Sequence, residues 1–254
     1  MSAAQPERRQ TAALSMYDRA ETAAANDRLW AAIRAELGHG PQRLTRDRDL
    51  WEVWTDPGLV LAQTCGLPFR ARLHDKVALI GTPDYGLPGC APGYYHSTLV
   101  ARADDPRDLA GLAAGTMAVN EGLSQSGWAA PLAYLAARNL SPARCLRTGA
   151  HRASARAVTE GGADLASLDS VTWALIRRHD AWAGALREVA TTPPTPGLPL
   201  IAARGTDAPR LRAVVEAAIE KLAPQDRDIL HLCGVVHIPA SEYLAQPIPP
   251  APTF

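Results

Sequence analysis

Two serines, Ser124 and Ser126, stand with Gln125 between them and Gly127 after them where a strand-like segment gives way to a helical one. Thr116–Asn120 has strand character, Glu121-Gly122 turns, and Trp128, Leu132 and Leu135 then recur on one helical face. A helix starting there leaves its first N–H groups without intrahelical acceptors, pointing outward beside the hydroxyls. With the positive end of the helix dipole, these donors form a place for an oxyanion. The bland alternative is that Ser124 or Ser126 is only an N-cap, contributing about 1 kcal/mol to stability. Pro131 would break a helix well past its start, which puts the first turn near Ser126.

Five further turns follow apolar segments and carry hydrogen-bonding side chains: Tyr17-Asp18, Thr64-Cys65-Gly66, Thr82–Tyr85, Gly149–His151 and Asp169-Ser170. In open α/β sheets, ligands touch the turns beyond the carboxyl ends of strands. Turns that only connect are satisfied by Gly, Pro or Asn. Taken singly, each has a structural explanation: His151 can cap its helix, Asp169 can be an N-cap, and Tyr17 can pack at a domain interface. All six at equivalent strand ends favour a shared polar site.

The elements that must position these residues alternate apolar strands with helices. Strands are expected at Ala12–Tyr17, Leu59–Gln63, Val77–Gly81, Tyr94–Ala101, Cys145–Thr148, Ala163–Leu168, Leu186–Ala190 and Leu198–Ala202. Helices are expected at Glu21–Leu37 capped by Asp18, Asp49–Trp54, Phe69–Leu73, His151–Glu160, a segment through Arg178 capped by Ser170 or Thr172, and Asp207–Leu222. Gly86–Gly93 reads as a loop, Thr191–Pro196 as an extended connector, and two short helices with a Pro-rich tail finish the chain. This alternation predicts an α/β protein whose sheets are mostly parallel and flanked by helices. Seams near Ala101–Pro106 and Ala190–Pro196 predict two lobes, residues 1–102 with 193–254 and residues 103–192, joined by two crossover hinges around a cleft.

Composition excludes several classes. The 254 residues carry 26 basic and 26 acidic side chains, so no general field draws the chain to nucleic acid or membrane. Its longest apolar runs are strand-sized, too short to cross a bilayer as a helix. Few apolar residues precede Tyr17 and Asp18, too few for the core of a secretion signal, so a cytoplasmic location is expected for the chain as written. Four cysteines, Cys65, Cys90, Cys145 and Cys233, lack any C-x-x-C pairing; free thiols and no metal site are expected, and a Cys65–Cys90 disulfide would require export. No G-x-G-x-x-G loop and no nucleophile–base pair in recognisable spacing is present, and no cofactor is expected.

Several of these pieces, in this order, resemble the substrate-binding proteins of phosphonate and phosphate ABC transporters, which have the type II periplasmic-binding fold. They are Met16-Tyr17-Asp18, Gln63-Thr64-Cys65-Gly66, Asn120 with Ser124-Gln125-Ser126-Gly127 and Pro131, His151-Arg152-Ala153-Ser154 with Ala157-Val158, Glu160-Gly161-Gly162-Ala163-Asp164, and Asp169. The likeness spans roughly residues 12–205. It implies that Ser124, Gln125, Ser126 and His151 hold a phosphonate- or phosphate-like oxyanion, and that Tyr17 reaches it from the opposite lobe. Asp169 would suit a hydroxyl or ammonium of the ligand; Thr64 and Cys65 are expected to line the cleft from their place beyond a strand end. The implied partners are a small anion and an ABC permease, the implied state a monomer, and the implied location periplasmic if translation starts upstream. The competing reading is a cytosolic dehydratase- or synthase-like enzyme on the same fold, with Asp169, Glu121, His151 or Cys65 as acid, base or nucleophile.

Overall fold

The computed structural model describes residues 10–254. The chain divides into two compact units. The first comprises the described residues up to Thr64, with Arg72–Asp84 and Leu198–Ala240; the second comprises Cys65–Ala71, Tyr85–Gly197 and Ser241–Phe254.

In the first unit a five-stranded sheet runs in the order Thr11–Ala13, Leu59–Gln63, Leu200–Ala203, Val77–Asp84, Gly234–Val236. Only its first two strands pair in parallel; the other three pairings are antiparallel. Helices Ala23–Leu37 and Ala208–Lys221 pack against each other, and the second also lies on the strand Val77–Asp84. Their apolar stripes, Leu29, Trp30 and Ile33 on one and Leu211, Val215, Ala218 and Ile219 on the other, are buried. Helix starts follow the sequence where a carboxylate is in place. Asp49 accepts from the Trp51 and Glu52 N–H groups, and Asp207 accepts from that of Arg210 at 3.1 Å.

The second unit has its own five-stranded sheet, in the order Arg144–Arg147, Thr116–Val119, Leu165–Asp169, Ser97–Arg102, Leu186–Thr191. The first two pairings are parallel and the last two antiparallel. Strand alternation divides the core between two faces. Leu99, Ala101, Met117, Val119 and Leu165 join Trp128 and Leu135 on one face. On the other, Val100, Ala118, Ala166 and Leu168 meet Ala155 and Val158 of helix His151–Thr159 and Trp173 and Ile176 of helix Ser170–His179. A two-stranded antiparallel ribbon pairs Tyr94–Tyr95 with Thr195–Pro196.

Several expectations need correction. The sheets are mixed rather than mostly parallel; a fully buried strand is apolar in either direction, so hydrophobicity alone cannot set its sense. The first seam lies at Asp84/Tyr85, not Ala101–Pro106, because Ser97–Arg102 is an inner strand of the second sheet. The Pro-rich tail and Cys65–Ala71 belong to the second unit, not to the first as expected. The opening strand stops at Ala13, and Ser15–Tyr17 is a short 3-10 turn. Asp18 does not cap the helix at Ala23; its carboxylate takes the Asn26 amide at 2.9 Å and the Arg46 guanidinium at 2.6 Å. The helix at Ser170 is capped by Asp169, not by Ser170 or Thr172. The strand Gly234–Val236 was not expected, its three residues being too short for any period to register.

Candidate functional site

The strand Thr116–Val119 delivers the chain to a wide π-type turn, Gln125–Ala129, which runs straight into the helix Ala130–Ala136. Pro131 falls in the first turn of that α-helical segment, and the Ser126 carbonyl in the turn before it accepts the Ser167 hydroxyl. Ser124 is the cap: its Oγ accepts the Gly127 N–H at 2.9 Å, and its carbonyl accepts from Trp128 and Ala129. The Gln125 N–H donates to the Cys65 Sγ at 3.3 Å. The Ser126 N–H has no acceptor within the helix. Gly127 is required by close packing, since a Cβ there would stand 1.8 Å from the Asn120 Oδ1 and 3.0 Å from the Ser124 Oγ.

Ser126 is fixed from two sides. Its carbonyl accepts the Ser167 hydroxyl at 2.7 Å, and its own Oγ lies 2.9 Å from the His151 Nε2. His151 is the first residue of its helix but does not cap it, the preceding Ala150 holding the cap position. The residue keeps some exposed surface, yet protein surrounds the ring, and this desolvation pushes the imidazole down to about 4, partly offset by the Ser167 backbone. At neutral pH the ring is therefore uncharged, one nitrogen a donor and the other an acceptor.

Gln125 is buried, with its Nε2 3.4 Å from the Thr195 Oγ1, and Thr195 is in register with Tyr95 across the ribbon. Asp169, the last residue of its strand, is 1% exposed and accepts the Val171 and Thr172 N–H groups at 2.8 and 3.0 Å. It is opposite Ser97 in the sheet, and the next residue, Ser170, donates its N–H to the His96 carbonyl. Burial raises the Cys65 thiol and keeps the Tyr95 phenol protonated, well above its usual range, so both are neutral donors. Ser124, Gln125, Ser126, His151, Cys65 and Asp169 thus converge in the second unit.

Around this turn lie buried polar atoms that hold no hydrogen bond: Asn120 Oδ1, Gln125 Oε1, His151 Nδ1, Tyr95 Oη and Ser170 Oγ. Native proteins leave few such groups, and each one calls for an explanation. Tyr17 and Thr64 lie in the first unit. The Tyr17 carbonyl accepts the Thr22 hydroxyl at 2.7 Å. Thr64 is fully buried, its N–H bound to the Pro199 carbonyl at 3.0 Å and its Oγ1 without a partner. A cavity of about 1000 Å³ on the first unit, between His39, Pro57 and Arg210, includes none of the residues expected to bind.

The sequence model of the family described as "ABC transporter, phosphonate, periplasmic substrate-binding protein" matches residues 61–240, a span that holds the entire serine turn, His151 and Asp169. The chain belongs to this family. Phosphonate-type substrate-binding proteins are periplasmic receptors rather than enzymes, so the acid, base and nucleophile roles weighed for Asp169, Glu121, His151 and Cys65 are not supported. No curated protein sequence matches this member of the family. Solved structures share its fold. PhnD1 from Prochlorococcus marinus, in complex with methylphosphonate, is 15% identical with a TM-score of 0.72, covering 92% of this chain and 93% of that one. A binding protein component of an ABC phosphonate transporter from Pseudomonas aeruginosa is 18% identical with a TM-score of 0.65, covering 89% and 81%. A Xanthomonas citri protein bound to ATP is 19% identical with a TM-score of 0.63, covering 92% and 91%. Among the described residues of this binding protein, no helix is long and apolar enough to cross a membrane.

Sequence reasoning missed Tyr95, Ser167 and Arg70, all buried and near the serine turn. Ser167 sits inside an apolar strand, whereas Arg70 shares its turn with Arg72. A lone polar residue at an inward position was the available signal for Ser167.

Proposed function

We propose that this binding protein captures a phosphonate- or phosphate-like oxyanion at the Ser124–Ser126 turn and presents it to an ABC permease. The observation that carries this reading is the set of buried, unbonded groups able to donate, Tyr95 Oη, Ser170 Oγ and His151 Nδ1, around the Ser126–His151 pair. A tetrahedral oxyanion with several lone pairs accepts from hydroxyl, imidazole and amide donors at once, and such preorganised donors need little rearrangement on binding. Neutral His151 suits the task, because it donates one hydrogen bond without needing a counter-ion. The methylphosphonate complex of PhnD1 makes that anion the first probe for this chain.

Tyr17 and Asp169 are proposed as further ligand contacts from the family likeness, Asp169 for a hydroxyl or ammonium group, and Thr64 and Cys65 from their place beyond a strand end. Calorimetric titration with methylphosphonate, phosphate, sulfate and acetate tests the reading. A micromolar or tighter dissociation constant for the first or second is expected. Equal, millimolar-range binding of all four would overturn it. Cross-linking of the loaded protein in source cells, with identification of any permease captured, tests the transport partnership, and fractionation of those cells tests whether the family's periplasmic location applies.

A further inference from the structure

Arg70 lies on the turn Phe69–Leu73, which follows Cys65 directly through the short segment Gly66–Pro68. The Phe69 N–H donates to the Cys65 carbonyl at 3.1 Å, and Cys65 in turn receives the Gln125 N–H. Arg70 therefore stands on the element that touches the start of the serine turn. The side chain is 4% exposed. One terminal nitrogen, Nη2, donates to the Pro247 carbonyl at 2.6 Å, while the buried Nε has no partner. No carboxylate among the described residues pairs with it.

A guanidinium held out of water without a counter-ion is strongly disfavoured, and a single backbone carbonyl does not neutralise it. Burial lowers its pKa below the ordinary arginine value, against the opposing pull of Cys65 and Tyr95. Cys65 and Tyr95 are neutral at physiological pH, and the Asp169 carboxylate acts on both. An unaided site would thus present a negative charge to an incoming anion. The flat guanidinium fork is also the side chain best matched to the paired oxygens of a phosphonate or phosphate.

We infer that Arg70 is the charge-selecting residue of the site, the cation whose missing counter-ion is the bound oxyanion and which favours a dianion over a monoanion. The inference rests on the proposed oxyanion site. The alternative is that Arg70 only clamps the C-terminal tail through Pro247. The test compares the wild type with Arg70→Gln, which keeps an amide donor for Pro247 but removes the charge, and with Arg70→Lys, which keeps the charge. Each is titrated with methylphosphonate at a pH below and a pH above the ligand's second ionisation, with thermal melting in parallel. His151 is uncharged at both pH values, so it does not confound the profile.

The wild type should bind more tightly at the higher pH. Arg70→Gln should lose about tenfold to a hundredfold in affinity for the dianion and lose that pH preference, the loss expected when a charge-assisted hydrogen bond is removed. Arg70→Lys should keep the preference at reduced affinity. Arg70→Gln with a lowered melting temperature but wild-type affinity and pH profile would overturn the inference, leaving the oxyanion site intact. A wild type that binds no oxyanion would overturn both. If Arg70→Gln does not fold, loss of the pH preference in Arg70→Lys overturns the inference and its retention supports it.

Discussion

The Ser126 Oγ and the His151 Nε2 lie 2.9 Å apart, joining the turn after one strand to the first residue of the helix after the next. The two strands before them, Thr116–Val119 and Arg144–Arg147, are parallel neighbours, and their register puts Val119 opposite Arg147. Both side chains therefore emerge at the carboxyl end of the same pair of strands. That is where helix starts and loose N–H groups accumulate in such sheets.

Replacing Ser126 by Ala removes a hydroxyl from the proposed site without touching the cap. Ser124→Ala removes the cap on the Gly127 N–H as well. Affinity for methylphosphonate should fall about tenfold or more in Ser126→Ala, by loss of a hydrogen bond to a charged group. Melting temperature should fall further in Ser124→Ala, which loses about 1 kcal/mol of cap stability. Calorimetry and thermal melting of both variants would separate the two roles; unchanged affinity in the double variant would remove this turn from the site.

His151 titrates well below an ordinary histidine, at about 4, because burial disfavours its charged form. In the unfolded chain it takes up a proton near the usual pH of about 6.5. Between those values the unfolded state binds more protons, so this residue makes stability rise with pH and fall as pH drops from about 6.5 toward 4. Urea unfolding across that window should show the slope, and His151→Gln should flatten it. An identical slope in the variant would assign the effect to other groups.

Gly127 is held against Asn120. Gly127→Ala should destabilise the second unit by about 1–3 kcal/mol through overpacking. The double variant Asn120→Gly with Gly127→Ala should recover part of that loss, because the clashing oxygen is gone. A double variant no more stable than the sum of the two single changes would show that the two positions do not couple.

Asp169 has a cap role that separates from any ligand role. Asp169→Asn keeps an oxygen for the Val171 and Thr172 N–H groups and should leave stability nearly unchanged, whereas Asp169→Ala should cost about 2 kcal/mol. If the residue also meets a cationic group of the ligand, Asp169→Asn should weaken aminoalkylphosphonates while sparing methylphosphonate. Equal effects on the two ligands would confine Asp169 to capping.

By itself the sequence determined the local pieces. Leu59–Gln63 is apolar in all but its last residue and bounded by turn residues, and it is a strand over that span. Asp49 and Asp207 announce their helices because an N-cap acts on N–H groups two and three residues away, well within reach of local reading. The series from Ser124 to His151 and Asp169 was legible for the same reason: each residue stands at the edge of a strand or helix whose period is written in its neighbours. Strand sense, unit boundaries and the pairings across long loops were decided only by the tertiary structure. Ser97–Arg102 and Leu200–Ala203 carry the same buried apolar pattern whether parallel or antiparallel, and only packing against their neighbours fixes the sense. Asp18 has the chemistry of a cap, but Arg46, distant in sequence, takes its carboxylate instead. Arg70 and Tyr95 had no local signature at all, since what sets them apart is the burial of a polar group without a partner. That property exists only once the chain has folded around it.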